Sequence, residues 1–225
     1  MANKTILLEN IGEVTLAKRS GQKSIRLSVS AGKIKVTQPS WLPYSAGEAY
    51  LRSKLDWVKE HHKPSSSYHT NQQIGKKHLL VIEYGDKQST RIKNGIIDVT
   101  LLYGQSELTK STQTLIEKAV IKALRDESES YLPQRTKELA YVHGFSFKSV
   151  SIKHLKRRWG SCNSKNEITY NLFLMNLADD LINYVILHEL CHTKHMNHGD
   201  KFWAQMESVY PGARRTAKVV RRHQS

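Results

Sequence analysis

The stretch that decides the fold is LINYVILHELCHTKHMNHG, residues 181–199. Its first twelve residues are apolar on most faces, which predicts a buried helix. Asp179 and Asp180 precede them, where an N-cap and first-turn carboxylates stabilise a helix start. His188 and His192 lie four residues apart, which on a helix separates them by about 40° around the axis and about 6 Å along it. Both imidazole rings can therefore reach one metal ion.

Glu189 follows the first of these histidines and points to the neighbouring flank of the predicted helix. From there its carboxylate can hold a metal-bound water and accept its proton instead of binding the metal itself. A zinc ion lowers the pKa of such a water toward about 7 and polarises the bond under attack. The HExxH pattern therefore predicts a zinc-dependent hydrolase with Glu189 as the general base. The alternative, a core helix that contains these residues by chance, would bury two histidines and a glutamate without partners.

A third metal ligand is required, because a catalytic zinc takes three protein ligands and leaves one position open. His198 lies six residues after His192, so a continuous helix would place it about 120° away from the other rings. The choice of His198 therefore predicts that the helix breaks near His195–Asn197. The alternative ligand is His195, but three ligands on one straight helix span about 10 Å and do not close around one ion. We expect His195 at the rim of the site, as a substrate contact.

The chain carries a large positive charge, with 35 Lys and Arg against 20 Asp and Glu, a net charge of +15 and a pI near 9.8. Such a charge attracts nucleic acid, nucleotides or an acidic protein surface, and its sign does not choose among them. A basic surface that only keeps the protein soluble is the alternative. The 225 residues are enough for one large or two small globular domains.

Two cysteines, Cys162 and Cys191, are too few for a disulfide framework, which agrees with a reducing compartment. We expect Cys191 to be a buried thiol, with a disulfide between the two as the alternative. The N-terminus lacks the pattern of a signal peptide, and no apolar run approaches the ~20 residues that span a bilayer. The sequence therefore predicts a cytoplasmic protein without membrane contact.

The N-terminal part of the chain is rich in β-type segments. Four of them, with a turn at Ala31-Gly32, predict an antiparallel sheet. Residues 46–62 predict a surface helix with four apolar side chains near one face. The polar run Pro64–Gln73 is the candidate linker. The four segments are Thr5–Leu8, Glu13–Ala17, 24–30 and 33–39, and the four side chains are Tyr50, Leu51, Leu55 and Val58.

The middle of the chain changes from strands to a long helix. Strands are predicted at 78–84 and 96–103. From Glu107 the apolar residues recur at helical spacing. We expect Pro133 to kink this helix or begin a second one, and Gly144 to end it.

Two further strands, 146–159 and 167–174, are predicted with a turn around Gly160–Asn166. The fold class is therefore α+β, with an N-terminal antiparallel β-rich region and a helix over residues 1–104. Residues 105–225 are predicted to form a second region of helices and strands, which contains the histidine motif.

Two stripes of side chains follow the histidines. Phe202, Trp203, Met206 and Val209 recur at helical spacing, and we expect them to form core behind His198. Basic residues near the C-terminus recur every three or four positions, which is typical of a basic helical face. We expect a solvated end there, with polyanion contact as the alternative. These basic residues are Arg214, Arg215, Lys218, Arg221 and Arg222.

Two runs in the second half of the chain resemble a known family. RRWGSCNSKNEITYN, residues 157–171, and INYVILHELCHTKHMNHGDKFW, residues 182–203, look like the YgjP-like family of predicted zinc metallopeptidases, relatives of the SprT and WLM proteins. The resemblance extends over nearly the whole chain, weakly over the N-terminal strands and closely over about Val150–Pro211.

The resemblance implies a minimal zincin over residues 105–225, with zinc on His188, His192 and His198 and with Glu189 as the base. The histidine spacing also matches the metzincin pattern. A glycine is expected in that pattern where this chain has a histidine at position 195, and a Met-turn is not evident. The sequence therefore does not predict a metzincin.

Three further features are interpreted beside this resemblance. Arg157 and Arg158 could hold a substrate carboxylate or phosphate, or stabilise an oxyanion; the alternative is that they brace a turn through backbone carbonyls. Asn171 either orients a ligand histidine or caps a strand end. In zincins the strand before the active helix pairs with an extended substrate. We expect that strand near Ile152–Arg158 or Ile168–Asn171.

Three functions follow from these features. The leading hypothesis is a zinc metallopeptidase acting on a peptide or protein substrate. The second is a nucleotide pyrophosphatase that uses the same metal and base, although the chain has no GxxxxGK[ST] loop and a three-histidine site lacks the carboxylates that hold Mg²⁺. The third is a DNA-associated protease, as the SprT and WLM relatives suggest, whose DNA binding would weaken steeply with salt.

Overall fold

The structure, a computed structural model, describes residues 3–8, 11–30, 33–61 and 68–223. The chain forms two compact units, each built from several segments. A division at residue 104 stays a prediction. The first unit contains Met1–Thr70, Ile82–Ser89 and Thr100–Glu117, and the second contains Asn71–Val81, Thr90–Val99 and Lys118–Ser225.

The first unit contains a four-stranded sheet made of β1 (Asn3–Leu8), β2 (Gly12–Arg19), β3 (Arg26–Ser30) and β4 (Lys33–Pro39). The strand order is β1-β2-β4-β3. Two pairs are antiparallel, but β2 and β4 run parallel, which corrects the expectation of a purely antiparallel sheet. The reason is burial: the apolar strands β2 and β4 take the central places, and the more polar β3 takes an edge. The turn expected at Ala31-Gly32 lies outside the described residues.

The single helix expected over residues 46–62 is divided into α1 (Tyr44–Ser53) and α2 (Leu55–His61). Lys54 interrupts it, with φ −116° and ψ 16°. On the predicted apolar face, Leu51 and Val58 are buried, and Tyr50 and Leu55 are half-buried. Within the expected linker, residues 64–67 lie outside the described part of the chain.

A second sheet contains β5 (Gln72–Ile74), β6 (His78–Gly85), β7 (Ser89–Lys93) and β8 (Ile96–Leu102), in the order β5-β6-β8-β7. Its residues are divided between the two units. The expected strands at 78–84 and 96–103 are confirmed as β6 and β8. The short strands β5 and β7 were missed, because they contain too few apolar residues for an alternating pattern.

The longest helix, α3 (Lys110–His143), continues through Pro133, so no second helix begins there. Leu132 and Thr136, on either side, are fully buried. Their packing helps to offset the backbone hydrogen bond that a proline removes from a helix interior. Gly144 follows with φ 65°, which confirms the expected end.

A third sheet contains β9 (Ser149–Lys153), β10 (Gly160–Cys162) and β11 (Glu167–Asn171), in the order β10-β11-β9. The central strand β11 runs parallel to β9 and antiparallel to β10. Strand β10 corrects the expectation that residues 160–166 are all turn, since the turn occupies only 163–166. The strand expected at 167–174 also ends early, because Leu172–Asn176 forms a 3₁₀ helix.

The helix predicted from the histidine motif is α4 (Asp179–His192). Its N-cap is Ala178, so Asp179 and Asp180 both lie in the first turn and neither is the cap. Two helices follow, α5 (Asp200–Val209) and α6 (Ala213–Arg222), and α4 packs against both of them and against β10. In the described part of the chain, the helices lack the combination of length and apolar composition that crossing a bilayer requires.

Candidate metal centre

Three histidine rings converge at the C-terminal end of α4. His188 and His192 lie one helical turn apart, and their Nε2 atoms are 3.2 Å apart. His198 comes from the segment between α4 and α5, and its Nε2 lies 3.0 Å from the Nε2 of His188. The predicted helix break is confirmed, and it comes three residues earlier than expected, directly after His192. This early end lets the chain turn back and bring His198 to the other rings.

The hydrogen bonds of these rings leave nitrogens free to bind a metal. The Nδ1 of His192 donates to the carbonyl of His195 at 3.0 Å, so the neutral ring has a lone pair on Nε2. Burial lowers the pKa of His188 to about 3 and also lowers the pKa of His192. Both rings are therefore neutral at pH 7, as metal binding requires.

The spacing of the three rings fits a divalent metal ion. Two nitrogens that bind zinc at about 2.1 Å in tetrahedral geometry lie about 3.4 Å apart. The Nε2 atom of His188 lies 3.2 Å from that of His192 and 3.0 Å from that of His198, which is close to this value. Among the described residues, His188, His192 and His198 form the one group of three or more His, Cys, Asp or Glu side chains placed to hold an ion. His195, the alternative ligand, is not part of it.

Phe202 supports all three rings from one side. It stacks on His192 with ring centroids 4.6 Å apart, and it meets His188 and His198 edge-on at 5.0 and 4.6 Å. Phe202 and Met206 are fully buried, as the stripe on α5 predicted, whereas Trp203 and Val209 are half-buried. The phenyl ring limits how far the imidazoles can rotate away from one another.

Glu189 is buried beside the histidines without a full set of hydrogen bonds. Its side chain is 5% exposed, and its Oε2 has no partner. Burial raises the pKa of Glu189 to about 8, while the charge of Arg158 lowers it. A β-carbon built on Gly160 would lie 2.7 Å from Oε1 of Glu189, so β10 can approach this carboxylate only because residue 160 is glycine.

His188, His198 and Glu189 line a cleft of about 260 Å³. One wall comes from the start of β10 and the residues before it, and another comes from α6. The nitrogen Nε1 of Trp159 donates to the carbonyl of Val220 at 3.1 Å and so joins the two walls. The lining residues are Arg158, Trp159, Gly160, Tyr184, Val185, His188, Glu189, His198, Trp203, Ala217, Val220 and Arg221.

The predicted substrate residues differ in their positions. Arg158 lines the cleft, and Arg157 does not. His195 is half-buried and also does not line it; its described contacts are backbone ones, with His192 and Cys191. A role of His195 in substrate binding stays a prediction.

Asn171 acts as a strand-end cap. Its Oδ1 accepts from the backbone N–H groups of Leu155 and Phe173, at 3.4 and 3.3 Å. Its Nδ2 donates to the carbonyls of Leu155 and Arg158, at 2.7 and 3.2 Å. These bonds favour the capping interpretation over a contact with a ligand histidine, and they hold the loop that carries Arg158.

Sequence reasoning missed three contributors to the cleft. Gly160 was assigned to a turn, and its close approach to a carboxylate from another element leaves no local signal. Tyr184 lies one turn before His188 on α4, a spacing that could have pointed to it. Arg221 was expected in a solvated end, yet it lines the cleft, because buried Val220 anchors α6.

Both cysteines are free thiols, so the alternative of a disulfide between them is not formed. Cys191 is buried, as expected. Burial, with a contribution from the charge of Glu189, raises the pKa of the Cys162 thiol to about 11.

Three imidazoles and a buried carboxylate at one cleft define the class of metal-dependent hydrolases. The model of the YgjP-like family, a metallopeptidase domain, matches residues 23–223. The chain belongs to this YgjP-like family of metallopeptidases, and membership implies a divalent metal ion and a hydrolytic enzyme.

Two solved structures are similar to part of the chain. The metallopeptidase zymogen of Pyrococcus abyssi abylysin is 25% identical with a TM-score of 0.37, over 40% of this chain and 91% of that one. The metallopeptidase zymogen of Methanocaldococcus jannaschii jannalysin is 22% identical with a TM-score of 0.34, over 40% of this chain and 89% of that one. No curated protein matches the chain.

Proposed function

We propose that this protein is a zinc peptidase, with His188, His192 and His198 as the metal ligands and Glu189 as the general base. One observation carries the proposal: three imidazole nitrogens converge beside a buried carboxylate oxygen that has no partner. Leaving a buried carboxylate oxygen unpaired costs stability, so such a group in a cleft points to a chemical role. Three neutral imidazoles favour zinc over Mg²⁺ or Ca²⁺, which prefer oxygen ligands.

Zinc held by these rings supplies a Lewis acid that makes water acidic near neutral pH and polarises a peptide carbonyl. Glu189 accepts the proton of the attacking water at its unpaired Oε2 and returns it to the leaving amine. Its burial strengthens it as a proton acceptor, because burial raises its pKa. Arg158 lines the same cleft and can donate to the carbonyl oxygen as negative charge develops there.

The free edge of β10 offers a place for the substrate backbone. β10 and β9 are the two edge strands of the sheet, and of these only β10 contributes a residue to the lining of the cleft, while β11 is paired on both sides. An extended peptide can add to such an edge by backbone hydrogen bonds. We therefore assign substrate pairing to Gly160–Cys162 in place of the two segments expected from the sequence, Ile152–Arg158 and Ile168–Asn171.

The two other hypotheses have weaker support. A nucleotide pyrophosphatase could use Arg158 and Arg221 to hold phosphates. The described residues, however, contain no group of three or more side chains with carboxylates placed to hold Mg²⁺. A DNA-associated protease would require a basic surface outside the cleft. The net charge of +15 is its main support, and a net charge does not define a site.

The test is hydrolysis by the zinc-loaded protein of a quenched fluorescent peptide library, beside a panel of nucleoside triphosphates. We expect peptide cleavage that a chelator removes and that stoichiometric zinc restores. The matched control is Glu189→Gln, which should keep one zinc per chain by elemental analysis and lose cleavage. Full activity in this variant, or phosphate release without peptide cleavage, would overturn the proposal.

A further inference from the structure

Two arginines give the cleft beside the histidines a charge of its own. Arg158 lies just before β10, and Arg221 lies near the end of α6; both line the cleft that contains Glu189. Both side chains are exposed, and neither forms a hydrogen bond or an ion pair with another described residue. Their guanidinium groups therefore keep their donors available to a bound molecule.

The backbone on both sides of the cleft is held in place. The side chain of Asn171 donates to the carbonyl of Arg158 at 3.2 Å, and the backbone N–H of Asn171 donates to the carbonyl of Trp159 at 2.8 Å. The indole of Trp159 in turn bonds the carbonyl of Val220, next to Arg221. The two arginines are therefore exposed side chains on fixed backbone, which lowers the entropy cost of using them to bind a ligand.

The charge around the cleft is not neutralised locally. Glu189 is the one acidic residue among those that line it. Residues 153–158 contain four Lys and Arg and no acidic residue, and α6 contains five and none. The second unit as a whole contains 22 of the 35 Lys and Arg and 11 of the 20 Asp and Glu. A ligand in this cleft therefore experiences a positive field.

The remaining walls of the cleft are mostly apolar or aromatic. Trp203 lines it, with the guanidinium of Arg214 stacked 4.7 Å above its ring, and Tyr184 lies buried at its base. Such walls exclude water on one side, which strengthens a hydrogen bond between an arginine and an anion. The guanidinium fork matches the two oxygens of a carboxylate.

We propose that this cleft selects peptides with a carboxylate near the bond that is cut, and that Arg158 and Arg221 are its specificity-determining residues. This inference rests on the proposed peptidase function. A peptide is favoured over a nucleic acid because the arginines line the same cleft as Glu189, His188 and His198. The charge they recognise therefore belongs to the molecule that reacts, whereas a nucleic acid would need an open basic face.

The test uses the zinc-loaded full chain and fluorogenic peptides that differ at one position, with Glu, Gln or Lys placed in turn on either side of the cleavage site. We expect kcat/KM for the best Glu peptide to exceed that of its Gln partner about tenfold, because hydrogen bonds to charged groups stabilise by an amount of that order. A second comparison shows whether a side-chain or a C-terminal carboxylate is recognised. It sets peptides with an internal Glu and a blocked C-terminus against peptides with Gln and a free C-terminus.

The variants Arg221→Gln and Arg158→Gln should bring the ratio of Glu to Gln peptides toward one. The matched control is Arg215→Gln, which removes the same charge from α6 at an exposed position outside the cleft and should leave the ratio unchanged. Equal rates for Glu and Gln peptides would overturn the inference, as would a preference that survives in both variants or falls equally in the control.

Binding separates this inference from the peptidase proposal. Fluorescence anisotropy with zinc-loaded Glu189→Gln protein measures peptide affinity without cleavage. If the unchanged protein cuts no peptide, the peptidase proposal fails; about tenfold tighter binding of the Glu peptide that Arg221→Gln removes would still show that the two arginines recognise a carboxylate. Equal affinities would overturn the inference. A single-stranded oligonucleotide that displaces the peptide at a lower concentration than the Glu peptide itself would also overturn it, in favour of nucleic acid.

Discussion

Two glutamates of the second unit are buried to nearly the same extent but have different surroundings. Glu127 on α3 is 4% exposed, and Glu189 on α4 is 5% exposed. Glu127 accepts from the backbone N–H of Lys76 at 2.7 Å and pairs with Nδ1 of His78 at 3.1 Å. Glu189 keeps one oxygen without a partner and faces a cleft. Burial of an acid therefore does not by itself identify a functional site; the missing partners do.

A glycine lies against each of these carboxylates. Gly75 comes so close to Glu127 that a β-carbon would collide with Oε2, and Gly160 lies in the same way against Glu189. Gly75 also has φ 59°, whereas Gly160 has no positive φ. Gly75 allows the backbone to turn beside Glu127, and Gly160 leaves room beside the carboxylate that we propose as the base.

The largest expected difference is in activity. Glu189→Gln should lower kcat about a thousandfold or more, because it removes the proton acceptor while keeping the size of the side chain. Glu127→Gln should keep kcat within about threefold, because an amide oxygen still accepts from Lys76 and the site is elsewhere. The measurement is kcat for cleavage of one peptide by each of the two variants and by the unchanged protein. Equal losses would mean that Glu189 has no special chemical role.

The second prediction concerns stability of the metal-free protein against pH. Burial raises the pKa of Glu189 from 4.5 to about 8, so the folded state keeps a proton that the unfolded chain releases. Stability should therefore fall as pH rises above 4.5, by roughly 3–4 kcal/mol between pH 5 and pH 8 relative to Glu189→Gln. The histidines contribute equally to both proteins and cancel in the difference. Urea unfolding in chelator at pH 5 and pH 8 measures it; parallel pH dependences in the two proteins would contradict it.

The third prediction reverses the roles of the two acids. Glu127→Ala should lower the free energy of unfolding by about 2–3 kcal/mol, because it removes the acceptor of the part-buried N–H of Lys76 and the partner of His78. The protein that stays folded should keep its kcat. Denaturant unfolding beside peptide cleavage at low temperature measures both. A variant as stable as the unchanged protein would show that Glu127 has no structural function.

The smallest effect is expected at the glycine beside the base. Gly160→Ala should lower kcat about tenfold, because the added methyl displaces the carboxylate of Glu189 by a fraction of an ångström. Zinc content should stay at one per chain, since the atoms nearest to the added methyl belong to Glu189 and not to a histidine. The matched control is Ser149→Ala, at an exposed position on β9 of the same sheet and outside the cleft, which should cleave peptide at the unchanged rate. Loss of zinc in Gly160→Ala would instead indicate general disruption.

Much of the site could be predicted from the sequence, because the relative positions of residues a few places apart on a helix follow from helix geometry alone. Four-residue spacing placed His188 and His192 on one face, and the need for a third ligand pointed to His198 and to a helix break, which the structure contains. The role of Glu189 follows from the same pattern and stays a proposal. Glu127 was not noticed, because its partners come from residues about fifty positions away in the chain.

The failures of prediction share a physical cause. β10 was assigned to a turn because three residues carry too little pattern, and its strand character comes from pairing with β11. β2 and β4 run parallel because burial, which depends on the whole sheet, chooses the central strands. Arg221 joins the cleft only because α6 is anchored through Val220 and Trp159. Each of these depends on contacts between distant segments.

By itself, the sequence determined the helix that carries two of the histidines, the need for that helix to end before His198, and the excess positive charge, because these depend on spacing and composition. Only the tertiary structure decided which acid lacks a partner, which glycine lies against it and which arginines reach the cleft. These properties arise where separate elements meet, and the free energy of such contacts is not encoded in any one segment of the chain.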